Sequence, residues 1–141
     1  MWTAETVLAC ALTVLHRSAR SFPPIEFVET RPAGVSPNAD AYVPLGGTRI
    51  YLITTSPAFI RARRAAYKCG ELNAIRKIAS VLVHEEWHVR HGSDEAEAYA
   101  AQLSTLVALD AGPGSPLYSE VARSMQATMR RFRPPQVVVS R

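Results

Sequence analysis

The sequence has few of the features that would assign the chain to a special class. Two of its 141 residues are cysteines, Cys10 and Cys69, and a chain of this length can bury a core without disulfides. The two could pair only if the fold brings them together, which sequence does not show, and we favour two small buried apolar side chains. The net charge of +4 is diffuse and accompanies no nucleic-acid-binding motif, so we expect no nucleic-acid partner. The first apolar run, residues 7–15, is too short to span a bilayer and has no basic segment or cleavage site. We therefore expect no membrane partner and a cytoplasmic protein.

Hydrophobic periodicity predicts a single α+β domain over residues 1–141. An amphipathic N-terminal helix is followed by extended segments, at 25–30, 41–45 and 48–55. Helices are predicted in the second half at about 58–69, 71–91, 94–109 and 117–131. We expect the extended segments to form a short, mostly antiparallel sheet ahead of these helices. Residues 134–141 are expected to form an extended C-terminal tail.

Residues 84–88 read His-Glu-Glu-Trp-His, an HExxH motif inside the longest predicted helix. Side chains four residues apart lie one turn apart on the same helix face, so His84 and His88 can converge on one Zn²⁺ ion. Glu85 is displaced around the helix and can reach a water at the metal, where it acts as general base. The motif therefore predicts a zinc site with its own general base. The alternative is two histidines and two acids on a solvated helix face.

A zinc ion normally takes a third protein ligand, and His91, Glu95 and Glu97 follow the motif closely. His91 lies further along the helix, away from the point between the two histidines. Glu95 lies on the margin of the apolar stripe of the next helix, whereas Glu97 projects away from it. With Asp94 as N-cap, Glu97 also occupies the position that closes a capping box. Helical geometry therefore favours Glu95 as the third ligand. The stripe was assigned to Ala96, Tyr99, Ala100, Leu103, Leu106 and Val107.

Three further residues are candidates for a supporting role. Asp94 either orients a histidine ligand or caps the helix, and the sequence favours neither role. His91 either contacts substrate or is a cation at a helix C-terminus. Tyr118, or Tyr99, would stabilise the oxyanion of a reaction intermediate, although most tyrosines only pack.

HEEWH followed by DEAEAYAAQL resembles the gluzincin clan of zinc metallopeptidases, and is most similar to its small single-domain members, the minigluzincins. In this clan the ligand glutamate is often followed by a small residue, then by an aromatic residue and alanine. Glu95-Ala96 and Tyr99-Ala100 match that pattern, and the similarity is specific over residues 84–103. The resemblance implies a zincin-like fold and hydrolysis of peptide bonds in a peptide or protein substrate. It also implies an edge strand beside the cleft, for which residues 48–55 would be the counterpart and to which substrate would add as a strand.

Two other functions compete with a zinc metallopeptidase. A non-catalytic zinc-binding module would keep the metal and act through protein contacts, but such a site needs no base at Glu85. A basic nucleic-acid-binding protein would use the arginine groups at 61–64 and 123–133 and would be indifferent to chelators. Within the metallopeptidase hypothesis, the tail with its three valines at 137–139 is either free or lies in the substrate groove.

Overall fold

A computed structural model describes residues 1–132. The elements are α1 (Ala4–Leu15), a short 3-10 helix (Ala19–Ser21), β1 (Ile25–Val28), β2 (Ala41–Tyr42), β3 (Ile50–Ile53), α2 (Pro57–Arg63), α3 (Leu72–His91), α4 (Glu95–Ala108) and α5 (Pro116–Phe132). The predicted α+β class is confirmed, with one helix, then the strands, then the remaining helices. The predicted tail at 134–141 lies outside the described residues.

The sheet is mixed and has the strand order β1-β3-β2. β1 runs parallel to β3, from Ile25 opposite Ile50 to Val28 opposite Ile53, and only β2 is antiparallel to β3. The expected antiparallel pairing thus holds for one of the two pairs, because the chain turns back through β2 between β1 and β3. β3 is the central strand, and three of its four residues are buried apolar side chains. The expectation that residues 48–55 form an edge strand is therefore wrong. β2 forms the edge of the sheet nearest to α3.

α3 is the central helix of the described domain. It packs against α1, α2 and α4 and also contacts β2 and β3. Its buried apolar residues share one core with α1, α2 and the sheet, and that core contains Val7, Ala11, Leu52, Phe59, Ile75, Ile78 and Leu82. α4 and α5 form a smaller cluster around Leu106, Ala111, Leu117 and Val121. Because three helices and the sheet pack against α3, the side chains of α3 project from a rigid element.

The two cysteines are paired in a disulfide between Cys10 and Cys69, which corrects the expectation of two separate apolar side chains. Their Cα atoms are 5.6 Å apart although they are separated by 59 positions in the sequence. The predicted helix at 58–69 ends at Arg63, so Cys69 lies in the turn before α3, where its φ is +60°. That turn brings Cys69 back to the buried Cys10 on α1. Only the tertiary structure creates this proximity, which is why sequence could not reveal it.

Within residues 1–132, none of the helices has both the length and the apolar character needed to cross a membrane.

Candidate metal centre

His84 and His88 lie one turn apart on the face of α3 that is turned toward α4. Their ring centroids are 4.9 Å apart, and His84 is buried. One ligand atom from each of His84, Glu85 and His88 lies within 4.8 Å of the other two. The helical spacing of the motif therefore does bring these three side chains to one point.

Glu95, the first residue of α4, joins this group. α3 ends at Gly92, whose φ of +108° favours glycine, and the short turn that follows reverses the chain. Oε1 of Glu95 lies 3.5 Å from Nε2 of His84 and contacts Nε2 of His88. Glu97 is exposed, and its backbone N–H donates to Oδ1 of Asp94 at 3.3 Å, so Asp94 is the N-cap of α4. The structure thus brings Glu95, and not Glu97, to the histidines.

Nδ1 of each histidine has a hydrogen-bond acceptor within the protein. Nδ1 of His84 lies 2.9 Å from the side-chain oxygen of Gln102, whose amide donates in turn to the hydroxyl of Ser80. Nδ1 of His88 lies 2.8 Å from the backbone oxygen of Gly92. Because both acceptors take a hydrogen from Nδ1, Nε2 is the nitrogen of each ring that faces Glu95, and it can bind a metal once it carries no proton.

Gln102 is a site residue that the sequence did not predict. It is buried on α4 seven positions after Glu95, so the two side chains occupy the same helix face. The predicted apolar stripe includes Val107, which is 52% exposed, whereas the buried face contains Ala98, Gln102 and Leu106. A polar residue seven positions after the proposed ligand is the signal that could have identified Gln102.

The charges at the centre are strongly coupled. Burial lowers the pKa of His88, but hydrogen bonds to Glu95 and Gly92 outweigh it and raise that pKa to about 8. Burial raises the pKa of Glu95, yet the hydrogen bonds from His84 and His88 lower it to about 2. Burial raises the pKa of Glu85 above its usual value, and the neighbouring histidines offset this only in part. Glu95 is therefore an anion suited to bind a cation, while Glu85 is the carboxyl that takes up a proton more readily.

These donors fit a zinc ion. Two imidazole nitrogens and one carboxylate oxygen are the ligand types that catalytic zinc sites use, with a further position left for water or substrate. Each imidazole is oriented by an acceptor on its other nitrogen, as metal-bound histidines usually are. Glu85 lies beside the set, with Oε1 3.9 Å from Nε2 of His84.

Two other predicted residues lie outside the centre. His91 is exposed and stacks on Trp87 at 4.8 Å between ring centroids. Tyr118 packs against the cluster between α4 and α5. Neither residue lines the cavities beside the histidines.

Tyr99 lines both cavities beside the histidines. Its ring centroid is 4.6 Å from that of His84, and its hydroxyl lies 3.2 Å from Oγ1 of Thr128. Burial raises the pKa of Tyr99, so the hydroxyl keeps its proton at neutral pH.

The opposite face of α3 has a different set of charges. Glu86 accepts two hydrogen bonds from the guanidinium of Arg17, at 2.8 and 2.6 Å, and a third from Arg90 at 3.2 Å. The guanidinium carbon of Arg17 also lies 3.7 Å from the ring centroid of Phe22. This ion pair attaches the end of α1 to α3 on the side away from the histidines.

Comparison with protein-family models, with curated proteins and with solved structures finds no match for this chain.

Proposed function

We propose that this chain is a zinc-dependent metallopeptidase in which His84, His88 and Glu95 bind the ion and Glu85 is the general base. The observation that carries the proposal is the position of Glu85. It is a buried carboxyl beside the histidine pair that also lines both adjoining cavities. A purely structural zinc site has no use for an acid there. Burial raises the pKa of Glu85, which favours its uptake of a proton from water.

The chain's own residues supply the proton transfers of peptide hydrolysis. When bound, zinc acts as a Lewis acid that acidifies water and polarises a carbonyl group. Glu85 accepts a proton from the attacking water as the new carbon–oxygen bond forms. It then returns that proton to the departing amine as the carbon–nitrogen bond breaks, so atoms and charges balance. Gln102 and the Gly92 carbonyl hold the two imidazoles in the orientation that this geometry requires.

The substrate proposed is an extended segment of a peptide or protein. β2 lies at the edge of the sheet, and Ala41 and Tyr42 line the larger cavity together with Glu85 and His88. Among residues 1–132, β2 pairs only with β3, and we propose that a peptide strand adds to its other edge. This transfers the substrate-binding role expected of residues 48–55 to β2.

An oxidising compartment fits the disulfide better than the cytoplasm expected from the sequence. Disulfides persist in secreted and periplasmic proteins and are rare where glutathione keeps thiols reduced. Thiol titration of the protein taken from its native compartment tests this. Two free thiols per chain would contradict it.

The test of the proposed function is Glu85→Gln, with Glu86→Gln as the matched control. We expect Glu85→Gln to lower kcat/KM for peptide cleavage by about 10²- to 10⁴-fold, the usual contribution of a general base, and to leave zinc at about one ion per chain by elemental analysis. Glu86→Gln should retain both zinc and cleavage, since Glu86 lies on the opposite face.

Three results would contradict parts of this proposal. Undiminished cleavage by Glu85→Gln would exclude Glu85 as the base. Absence of zinc after dialysis against a zinc buffer would exclude the metal site. A zinc-loaded wild-type protein that cleaves no peptide in a complex mixture would favour the non-catalytic zinc-binding module.

A further inference from the structure

This inference rests on the proposed function and concerns which peptides the centre accepts. Two cavities, of about 520 and 970 Å³, adjoin the centre, and His84, Glu85, Tyr99 and Thr128 line both. They extend in opposite directions along α3. At about 1.5 Å per residue, each extends roughly 10 Å from His84 along the helix, which is the length of about three extended residues.

The smaller cavity, called the charged arm below, extends toward the start of α3. It is lined there by Asp40 and Lys77, seven positions before His84. Nζ of Lys77 lies 3.3 Å from Oδ2 of Asp40 and 2.6 Å from Oε2 of Glu120 on α5. Burial lowers the pKa of Lys77, but the two carboxylates raise it above the usual value, so the ammonium stays charged.

At the far end of the charged arm, the ammonium of Lys77 is shared between Asp40, which lines the cavity, and Glu120 on α5. Asp40 is 4% exposed, and within residues 1–132 its Oδ1 has no hydrogen-bond partner. A buried acceptor without a partner is unfavourable, so an arriving N–H donor is favoured there. Arg130 and Arg131 also line this arm, but at the other end of α5 from Glu120, eleven positions away for Arg131. The far end is therefore suited to a cationic donor.

The larger cavity, called the apolar arm below, extends toward the end of α3. Its lining there includes Val43, Pro44, Leu45, Val89 and Met129. Leu45 is 93% exposed at the tip of the turn after β2, and Met129 is 38% exposed on α5. Burying large apolar side chains that are exposed at the edge of a cavity is most favourable when an apolar side chain of a ligand covers them. This arm is therefore suited to an apolar residue.

We propose that the chain is an endopeptidase whose cleft accepts an internal stretch of extended peptide, with an apolar side chain in the apolar arm beside Leu45 and Met129 and a cationic group beside Asp40 in the charged arm. A cleft that continues on both sides of the reacting centre has room for chain on both sides of the scissile bond. The chemical difference between the arms fixes the direction in which the peptide binds.

The test begins with the zinc-loaded wild-type protein and a peptide mixture whose cleavage sites are mapped by mass spectrometry. We expect internal cleavage, with an apolar residue on one side of the bond and lysine or arginine within three residues on the other. Acetylating the lysine side chains should lower cleavage about tenfold, whereas acetylating the peptide N-terminus should change little, which distinguishes a side-chain cation from a terminal ammonium. The reverse result would assign the charged arm to a peptide N-terminus and overturn the internal position of the substrate.

Matched variants test each arm. Leu45→Asp should lower kcat/KM for apolar peptides about tenfold or more, and Val107→Asp, which changes a residue on α4 that is 52% exposed and outside both cavities, should not. Glu120→Gln should lower the preference for basic peptides about threefold or more, whereas Glu5→Gln on α1 should leave it unchanged.

Failure of this inference and failure of the proposed function give different experimental results. Removal of terminal residues only, or internal cleavage without preference and unaffected by Leu45→Asp and Glu120→Gln, would overturn this inference and leave the metallopeptidase intact. No cleavage of any peptide by the zinc-loaded protein would overturn the proposed function itself, and this inference with it.

Discussion

Glu85 and Glu86 are neighbours on α3, yet the two faces of the helix give them opposite properties. Burial beside the histidines raises the pKa of Glu85. Burial also raises the pKa of Glu86, but Arg17 and Arg90 outweigh it and lower that pKa below its usual value. A rotation of about 100° around the helix separates a carboxyl that can exchange protons from one that arginine side chains keep ionised at neutral pH. The role of an acid in this protein is therefore set by the helix face on which it lies.

The largest effect expected on the histidine face is the loss of a proposed metal ligand. Glu95→Ala removes a carboxylate that contacts both Nε2 atoms, whereas Glu97→Ala changes an exposed acid two positions away. We expect Glu95→Ala to weaken zinc binding by more than about 100-fold, beyond the range for residues that only support a ligand. Competition with a chelator measures both variants. Equal or greater loss in Glu97→Ala would reverse the ligand assignment.

On the other side of α3, the largest effect should come from the disulfide that fixes α1. Replacing both Cys10 and Cys69 with serine removes a cross-link between residues 59 positions apart. The unfolded chain then gains conformational entropy, and we expect the unfolding free energy to fall by about 4 kcal/mol. Urea unfolding of the zinc-loaded protein measures this, with reduced wild type as the control. A stability equal to that of the oxidised wild type would show that the disulfide contributes nothing. We expect the variant, where folded, to retain its zinc.

A smaller effect on the histidine face is expected for Gln102→Leu. Leucine keeps the approximate volume but removes the acceptor for Nδ1 of His84, so the imidazole loses its fixed orientation. We expect zinc affinity to fall about 10- to 100-fold. Ser104→Ala, at an exposed position of the same helix, is the control. Unchanged affinity in Gln102→Leu would mean that packing alone orients the ring.

The smallest effect is expected on the opposite face, from Glu86→Gln. We expect a loss of about 1–2 kcal/mol in unfolding free energy, between the values for exposed and buried ion pairs, because Glu86 is largely shielded while Arg17 is partly exposed. The pKa of Glu86 is lowered by folding, so its contribution is present above its ordinary pKa and is lost as the pH falls. The stability difference from wild type should therefore shrink in acid, as urea unfolding at several pH values will show. A difference independent of pH would exclude the ion pair as its cause.

Local features of the site could be predicted from the sequence. The periodicity of residues 71–91 and Gly92 predict α3 and its end closely, and Asp94 is the expected N-cap of α4. The proximity of Glu95 to the histidines follows from helix geometry and a short turn. These features depend on residues within a few turns of one another, where spacing alone determines which side chains meet.

Features that depend on distant parts of the chain could not be predicted. The pairing of Cys10 with Cys69 and of Arg17 with Glu86 requires the packing of α1 on α3. The central place of β3 requires two partner strands whose order the sequence does not encode locally. Gln102 was missed for another reason, because a buried polar side chain interrupts the apolar pattern that identifies a packed face.

The proximity of the proposed ligands in the sequence has a consequence for how the protein assembles. His84, His88 and Glu95 lie within twelve consecutive residues, so forming the centre closes only short loops. Contacts of low sequence separation form quickly, whereas the bridge from Cys10 to Cys69 must close 59 positions. A chain that has formed only α3, Gly92 and the start of α4 would already hold all three proposed ligands. If the chain binds zinc as proposed, metal uptake can therefore precede oxidation, and the ion would act as a template for the helix pair before the rest of the domain closes around it.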